Sequence, residues 1–226
     1  MKIDLNCDMG ELEDAAHEAA LMAFVTSANI ACGAHAGDLA TMERTARLAL
    51  ERGVRIGAHP GYPDRENFGR LELPISAEAI TQSVFEQIVL LDGVVTRLGG
   101  TIAYVKPHGA LYNVAVHNAE VARAIGKGAA LWNSGTLLFG LAGSPMLDVW
   151  RAMGLQAAGE AFADRRYEPD GTLRSRKLPG ALITDPAEAA AQAVRFANAR
   201  SAETICVHGD TPGAVAILKA CREALP

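Results

Sequence analysis

Aromatic residues are scarce, at 5% of the chain, and no dense run of lysine and arginine occurs. A general nucleic-acid binder shows a basic stripe. A net charge of −5, from 21 basic and 26 acidic residues, argues against that class. Every apolar stretch is broken by a charge or a glycine well short of the roughly 20 residues that span a bilayer. The start, Met1-Lys2-Ile3-Asp4-Leu5-Asn6, lacks the apolar core and cleavage site of a signal peptide. The four cysteines, Cys7, Cys32, Cys206 and Cys221, show no C-x-x-C spacing. They read as reduced thiols of a cytoplasmic protein, not as a disulfide framework or a zinc ribbon. Phosphate-loop signatures are also missing. Gly126-Lys127-Gly128 fails G-x-x-x-x-G-K-S/T, and Leu131 occupies the last position of G-x-G-x-x-G. Nucleotide binding by either of these two loops is therefore not expected.

What is present is a globular composition. Half of the 226 residues are hydrophobic, enough for a substantial core. Short β-rich runs alternate with longer helical ones. The expected strands are 3–7, 27–31, 54–58, 101–106, 137–141, 156–161 and 204–208. Runs of this length bounded by turn residues fit strands buried on both faces. Helix starts are marked by Asp38, Ser76, Asp185-Pro186, Ser144-Pro145 and Thr211-Pro212. Gly53 and Gly99-Gly100 mark ends. Seven βα units with no linker between them predict one α/β domain over residues 1–226. Periodicity alone leaves a doubly wound sheet and a closed barrel open.

The polar residues favour the barrel. Four of six histidines (His35, His59, His108 and His208) follow strands, whereas His17 and His117 do not. Asn6 and Asp8, Asp38, Lys106, Glu160 and Asp164, and Asp210 stand at the same ends. In a β/α barrel those ends converge on one face, where active sites lie. Strand alternation puts Asn6 and Asp8 on one side, and Asp8 is a candidate base or metal ligand. His35, among small residues, is a candidate ligand or acid/base group. Asp38 reads equally as a helix cap and as a substrate contact. After His59-Pro60, a Pro/Gly-rich loop presents Arg65 and Arg70, a residue type that grips carboxylates or phosphates. Lys106 ends an apolar strand, so it needs a facing carboxylate or an anionic substrate. Arg165 follows Glu160 and Asp164, and Gly209 beside the last helix start could hold an anion.

Five ordered segments carry a family resemblance: Ser27-Ala28-Asn29-Ile30-Ala31-Cys32-Gly33-Ala34-His35-Ala36-Gly37-Asp38, Ile56-Gly57-Ala58-His59-Pro60, Lys106-Pro107-His108-Gly109-Ala110-Leu111-Tyr112-Asn113, Phe162-Ala163-Asp164-Arg165 and His208-Gly209-Asp210-Thr211-Pro212. Together they closely resemble the LamB/YcsF family along nearly the whole chain. The resemblance implies a seven-stranded β/α barrel of the glycoside hydrolase/deacetylase type. It also implies the role of the A subunit in an ATP-dependent 5-oxoprolinase. That reaction opens 5-oxo-L-proline to L-glutamate with ATP hydrolysis, in a complex with subunits B and C. Departures from the family pattern fall at Ala34, at Leu71 and at Ser175, and the segment before Thr204 is short.

A five-membered lactam is an unreactive amide. Its hydrolysis needs carbonyl activation, a nucleophile and protonation of the leaving nitrogen. The expected catalytic set is Asp8, His35, His59, Lys106 and His108. Asn6, Asp38, Arg65, Glu160, Asp164, Arg165, His208 and Asp210 are expected around the substrate, with Arg65 or Lys106 on its carboxylate. Two alternatives compete with this reading. One is a metal-dependent amide or carbohydrate hydrolase with a divalent ion on Asp8, His35 and His59, although no tight H-x-x-x-H pair is present. The other is a non-catalytic lactam-binding subunit. Neither a membrane nor a nucleic acid is expected as a partner.

Overall fold

The computed structural model describes residues 3–12 and 14–225; the domain expected over 1–226 includes residues 1, 2, 13 and 226, which lie outside them. Seven parallel strands form a closed barrel in chain order. They are β1 (Asp4–Met9), β2 (Ser27–Ala31), β3 (Arg55–His59), β4 (Ile102–Val105), β5 (Leu137–Leu141), β6 (Gln156–Phe162) and β7 (Thr204–Val207). Pairing of β1 with β7, with Asp4 opposite Thr204 and Cys7 opposite Val207, closes the ring and decides against an open sheet. Each expected strand is found, with ends shifted by at most two residues.

Both faces of the strands are buried, but with opposite chemistry. Leu5, Cys7, Ile30, Ile56, Val105, Leu138 and Ile205 belong to the apolar core that also takes in residues of the surrounding helices. The alternate positions meet inside the barrel. There the Tyr104 ring stacks on Phe139 at 4.1 Å. Gly57 leaves the room, since a Cβ there would lie 2.2 Å from the Tyr104 ring. The Tyr104 hydroxyl donates to Asn29 Oδ1 at 2.7 Å, linking this aromatic layer to a polar one.

The helices are α1 (Ala15–Met22), α2 (Leu39–Glu51), α3 (Ala77–Arg97), α4 (Gly109–His117), α5 (Ala119–Trp132), α6 (Pro145–Ala152), α7 (Pro186–Ala199) and α8 (Ala214–Ala224). Asp38, Ser76 and Asp185 cap α2, α3 and α7 by accepting from Thr41, Ala79 and Glu188 backbone N–H groups. Ser144-Pro145 opens α6, but the Ser144 hydroxyl donates to the Leu141 carbonyl and does not cap. Thr211-Pro212 does not open α8. That helix starts after Gly213, whose φ is +79°, and the Thr211 hydroxyl is committed to Asp164. No helix among the described residues is long and apolar enough to cross a membrane.

Candidate active site at the barrel mouth

Strand alternation aims Asn6, Asp8, Asn29, Glu160 and the residue after β4, Lys106, into one buried polar layer. The Lys106 ammonium lies 2.8 Å from Asp8 Oδ1, 3.0 Å from Glu160 Oε1 and 3.1 Å from Cys206 Sγ. Burial opposes its charge, but Asp8 and Glu160 outweigh burial and hold the ammonium above its ordinary pKa. Cys206 adds no charge of its own, because burial pushes its thiol well above the usual range. Asp8 is also desolvated, yet the attraction of Lys106 holds it well below the usual carboxylate range. Asn29 donates to both Asn6 Oδ1 and Asp8 Oδ1, at 2.7 and 2.8 Å. Asn6 in turn donates to Glu160 Oε1 at 3.0 Å and Thr204 Oγ1 at 2.7 Å. Of the two partners expected for Lys106, a facing carboxylate or an anionic substrate, the carboxylate is present twice.

Above this layer three imidazoles gather. The His35 and His108 rings stack at 3.8 Å, and His59 meets each of them edge-on. The loop after β3 closes over them: a Cβ on Gly61 would lie 2.7 Å from His35 Nδ1, so only glycine fits. Phe68 sits at φ +56°, a conformation unusual for a bulky residue. There its ring packs against His35 and its carbonyl accepts the His108 Nε2–H at 2.8 Å. Burial, reinforced by His108, lowers His35 to about 3, so this ring is neutral at neutral pH. Glu11 Oε1 reaches His35 Nε2 at 3.0 Å and His108 Nδ1 at 3.1 Å. Burial works against this carboxylate, but a positive charge or proton shared with the neighbouring His108 and His35 rings prevails and holds it far below its usual range.

Glu11 was not among the expected residues. The sequence reading ended β1 at Cys7 and took no residue beyond Asp8 from this strand end into the site. In the structure β1 continues to Met9, and the acid just past the turn swings back over the mouth. An acid right after the first strand-end glycine was the signal available.

The third group belongs to the late strands. Asp164, fully buried, accepts from the His208 backbone N–H at 3.0 Å and lies 3.0 Å from His208 Nδ1. It also accepts from the Thr211 hydroxyl. His208, Thr211 and their hydrogen bonds overcome desolvation and lower its pKa. The Phe162 ring stacks on His208. Asp210 is paired with Arg70 and, at 2.9 Å, with Arg176. Arg165 is 5% exposed and has no ion-pair partner among the described residues. One nitrogen donates to the Arg174 carbonyl at 2.7 Å, and Nε has no partner. Burial, with Arg176 nearby, pulls Arg165 down to about 10, so it stays charged at neutral pH.

A cavity of about 690 Å³ opens between these groups. Asp8, His59, Lys106, His108, Arg165 and His208 all line it, as do Arg70, Arg176, Tyr112 and Ser175. Arg65 and Asp38 do not. Arg65 donates to the carbonyls of Gly33 and Gly37 at 2.6 and 2.8 Å, and Asp38 caps α2. Leu71 is exposed and Ala34 half-buried, so among the three family departures only Ser175 touches the cavity.

Fold and mouth together define the class: a seven-stranded β/α barrel whose charged chamber opens at the C-terminal strand ends. The chain belongs to the LamB/YcsF family, whose model matches residues 3–226. It is 45% identical to a protein of Chloroflexus aggregans named as the A subunit of 5-oxoprolinase, covering 100% of this chain and 95% of that one. It is equally similar, at 45% over 99% of this chain and 94% of the relative, to the protein of the same name in Bordetella pertussis. Among solved structures, the lactam utilization protein of Thermus thermophilus superposes with a TM-score of 0.92 at 38% identity, covering 99% of this chain and 96% of that one.

Proposed function

We propose that this chain is the lactam-handling component of an ATP-dependent 5-oxoprolinase, opening 5-oxo-L-proline to L-glutamate together with subunits B and C in the cytoplasm. The observation that carries the reading is the buried guanidinium of Arg165, which has no ion-pair partner among the described residues and lines the same chamber as ionised Asp8. Such a cation favours a small anion, and the lactam's carboxylate supplies one. Full-length similarity to relatives named as 5-oxoprolinase components supports the choice of substrate.

The chamber is within the roughly 300–1,000 Å³ range of small-molecule sites, which leaves room for the lactam with a phosphoryl group on its carbonyl oxygen. ATP would provide that activation and leave as ADP; after water adds and the amine departs, the phosphoryl group stays on the new carboxyl as an acyl phosphate, which a second water converts to glutamate and inorganic phosphate. With no phosphate-loop motif in this chain, the nucleotide is assigned to the complex with B and C. Asp8, kept ionised by Lys106, acts as base toward the attacking water. Lys106 positions Asp8, and its own charge is already matched by two carboxylates. His208, with Nδ1 held by Asp164, offers its second ring nitrogen as the acid that protonates the leaving amide nitrogen. Arg165 takes the carboxylate, with Arg70 and Arg176 at the rim.

The test is glutamate formation from 5-oxoproline and ATP by this chain alone and with B and C. Turnover only in the complete mixture is expected. Turnover by B and C without this chain would contradict the proposal.

A further inference from the structure

The imidazole cluster contains lone pairs that face one another. His59 Nδ1 lies 2.8 Å from the Lys106 carbonyl. A carbonyl only accepts, so the ring proton is there and Nε2 is bare in the neutral ring. His108 Nε2 donates in the same way to the Phe68 carbonyl, which leaves Nδ1 bare. These two bare nitrogens stand 3.0 Å apart. Glu11 Oε1 is 3.1 Å from one and 3.6 Å from the other, and His35 Nε2, once its proton moves to the unpartnered Nδ1, adds a fourth donor atom 3.0 Å from the same oxygen. All four atoms lie within 4.8 Å of one another, and the three imidazoles are buried. Lone pairs and a carboxylate repel at such distances unless a positive charge sits among them.

We infer that Glu11, His35, His59 and His108 form a binding site for one divalent first-row cation of the zinc type. Three imidazole nitrogens and one carboxylate oxygen suit such an ion. Tetrahedral Zn²⁺ with ligands at about 2.0–2.1 Å separates its donors by about 3.3 Å. The distances of 3.0, 3.1 and 3.6 Å around Glu11 Oε1 bracket that value. The outer contacts match as well. Metal-bound histidines usually donate their other N–H to a carbonyl or carboxylate, which fixes the tautomer. His59 and His108 both do so. The strained Phe68 thus has a task, because its φ of +56° places the carbonyl that sets the His108 tautomer. Glu11, not Asp8, completes the set: Asp8 Oδ1 lies 3.5 Å from His59 Nε2 but already accepts from Lys106 and Asn29.

This inference stands on the cluster alone and is independent of the lactam reading. The purified chain, stripped with a chelator and dialysed, is titrated with Zn²⁺ by calorimetry, and its bound zinc is counted by mass spectrometry. One equivalent is expected, with binding at least tenfold weaker in Glu11→Gln and in His108→Ala. Co²⁺ in place of Zn²⁺ should give the visible absorption of a four-coordinate site. The milder Glu11→Gln carries the test if His108→Ala fails to fold. No stoichiometric Zn²⁺ uptake by the wild-type chain, or equal uptake by Glu11→Gln, would overturn the inference. The first result would mean that a shared imidazolium proton fills the gap, and the second that Glu11 is not a ligand.

Discussion

Lys106→Met removes the ammonium from the centre of the barrel while keeping a straight side chain of similar length. Nζ lies 2.8 Å from Asp8 and 3.0 Å from Glu160, and none of the three side chains is more than 4% exposed. Removing one partner of a buried ion pair costs about 3–5 kcal/mol, because the remaining charge is buried without compensation. Here one cation serves two carboxylates, so the upper part of that range applies. The loss is a large share of a typical total stability of about 5–15 kcal/mol. Asp8 should also become easier to protonate, since Lys106 is the strongest influence holding its pKa down. Urea unfolding followed by circular dichroism measures the cost. Adding Glu160→Gln removes one stranded charge and should return about 1–3 kcal/mol. A loss under about 1 kcal/mol in the single variant, or no recovery in the double one, would refute the claim that Lys106 is their shared counter-charge.

Other consequences follow from the same geometry. In the complex with B and C, Arg165→Met should raise KM for 5-oxoproline about tenfold, the worth of one charge-assisted hydrogen bond. An unchanged KM would remove Arg165 from the carboxylate. Asp164 has a lowered folded-state pKa, so its contribution to stability is complete above the unfolded value of about 3.9 and is lost as pH falls through the folded value. Asp164→Asn should therefore cost roughly 2 kcal/mol at pH 7 and progressively less as pH falls below about 3.9; a cost that does not fall with pH would sink the argument. Gly61→Ala would put a Cβ 2.7 Å from His35 Nδ1. It should destabilise by about 1–3 kcal/mol and displace the imidazole, visible as a shifted His35 ring signal by NMR; an unmoved signal would contradict the tight fit.

Much of the architecture was legible because strand runs and caps are local signals. Asp38, Ser76 and Asp185 cap the helices they precede. The seven apolar runs read as strands because helices cover their outer faces and their inner faces meet one another. Lys106 announced an anionic partner by physical necessity, because an ammonium on a buried strand end needs one; only the fold shows that Asp8 and Glu160, not a substrate, supply it. Glu11 was not legible in the same way. It lies beyond the strand, and its role depends on a chain reversal at Gly10, whose φ is +71°. Thr211-Pro212 misled because its hydroxyl had a tertiary partner, Asp164, that no local pattern reveals. Arg65 and Arg165 are the same residue type after strand ends. Only the fold shows that Arg65 meets backbone carbonyls while Arg165 lines the cavity.

The central claim is that ring opening takes place in this barrel's mouth with Asp8 as base. Asp8→Asn keeps the shape and removes the charge. Glutamate release from 5-oxoproline and ATP, measured with this variant reconstituted with B and C, tests the claim most directly. The account predicts a loss of at least about a hundredfold in kcat, the usual contribution of a positioned general base, with the complex still assembled. Glutamate release at the wild-type rate would contradict it.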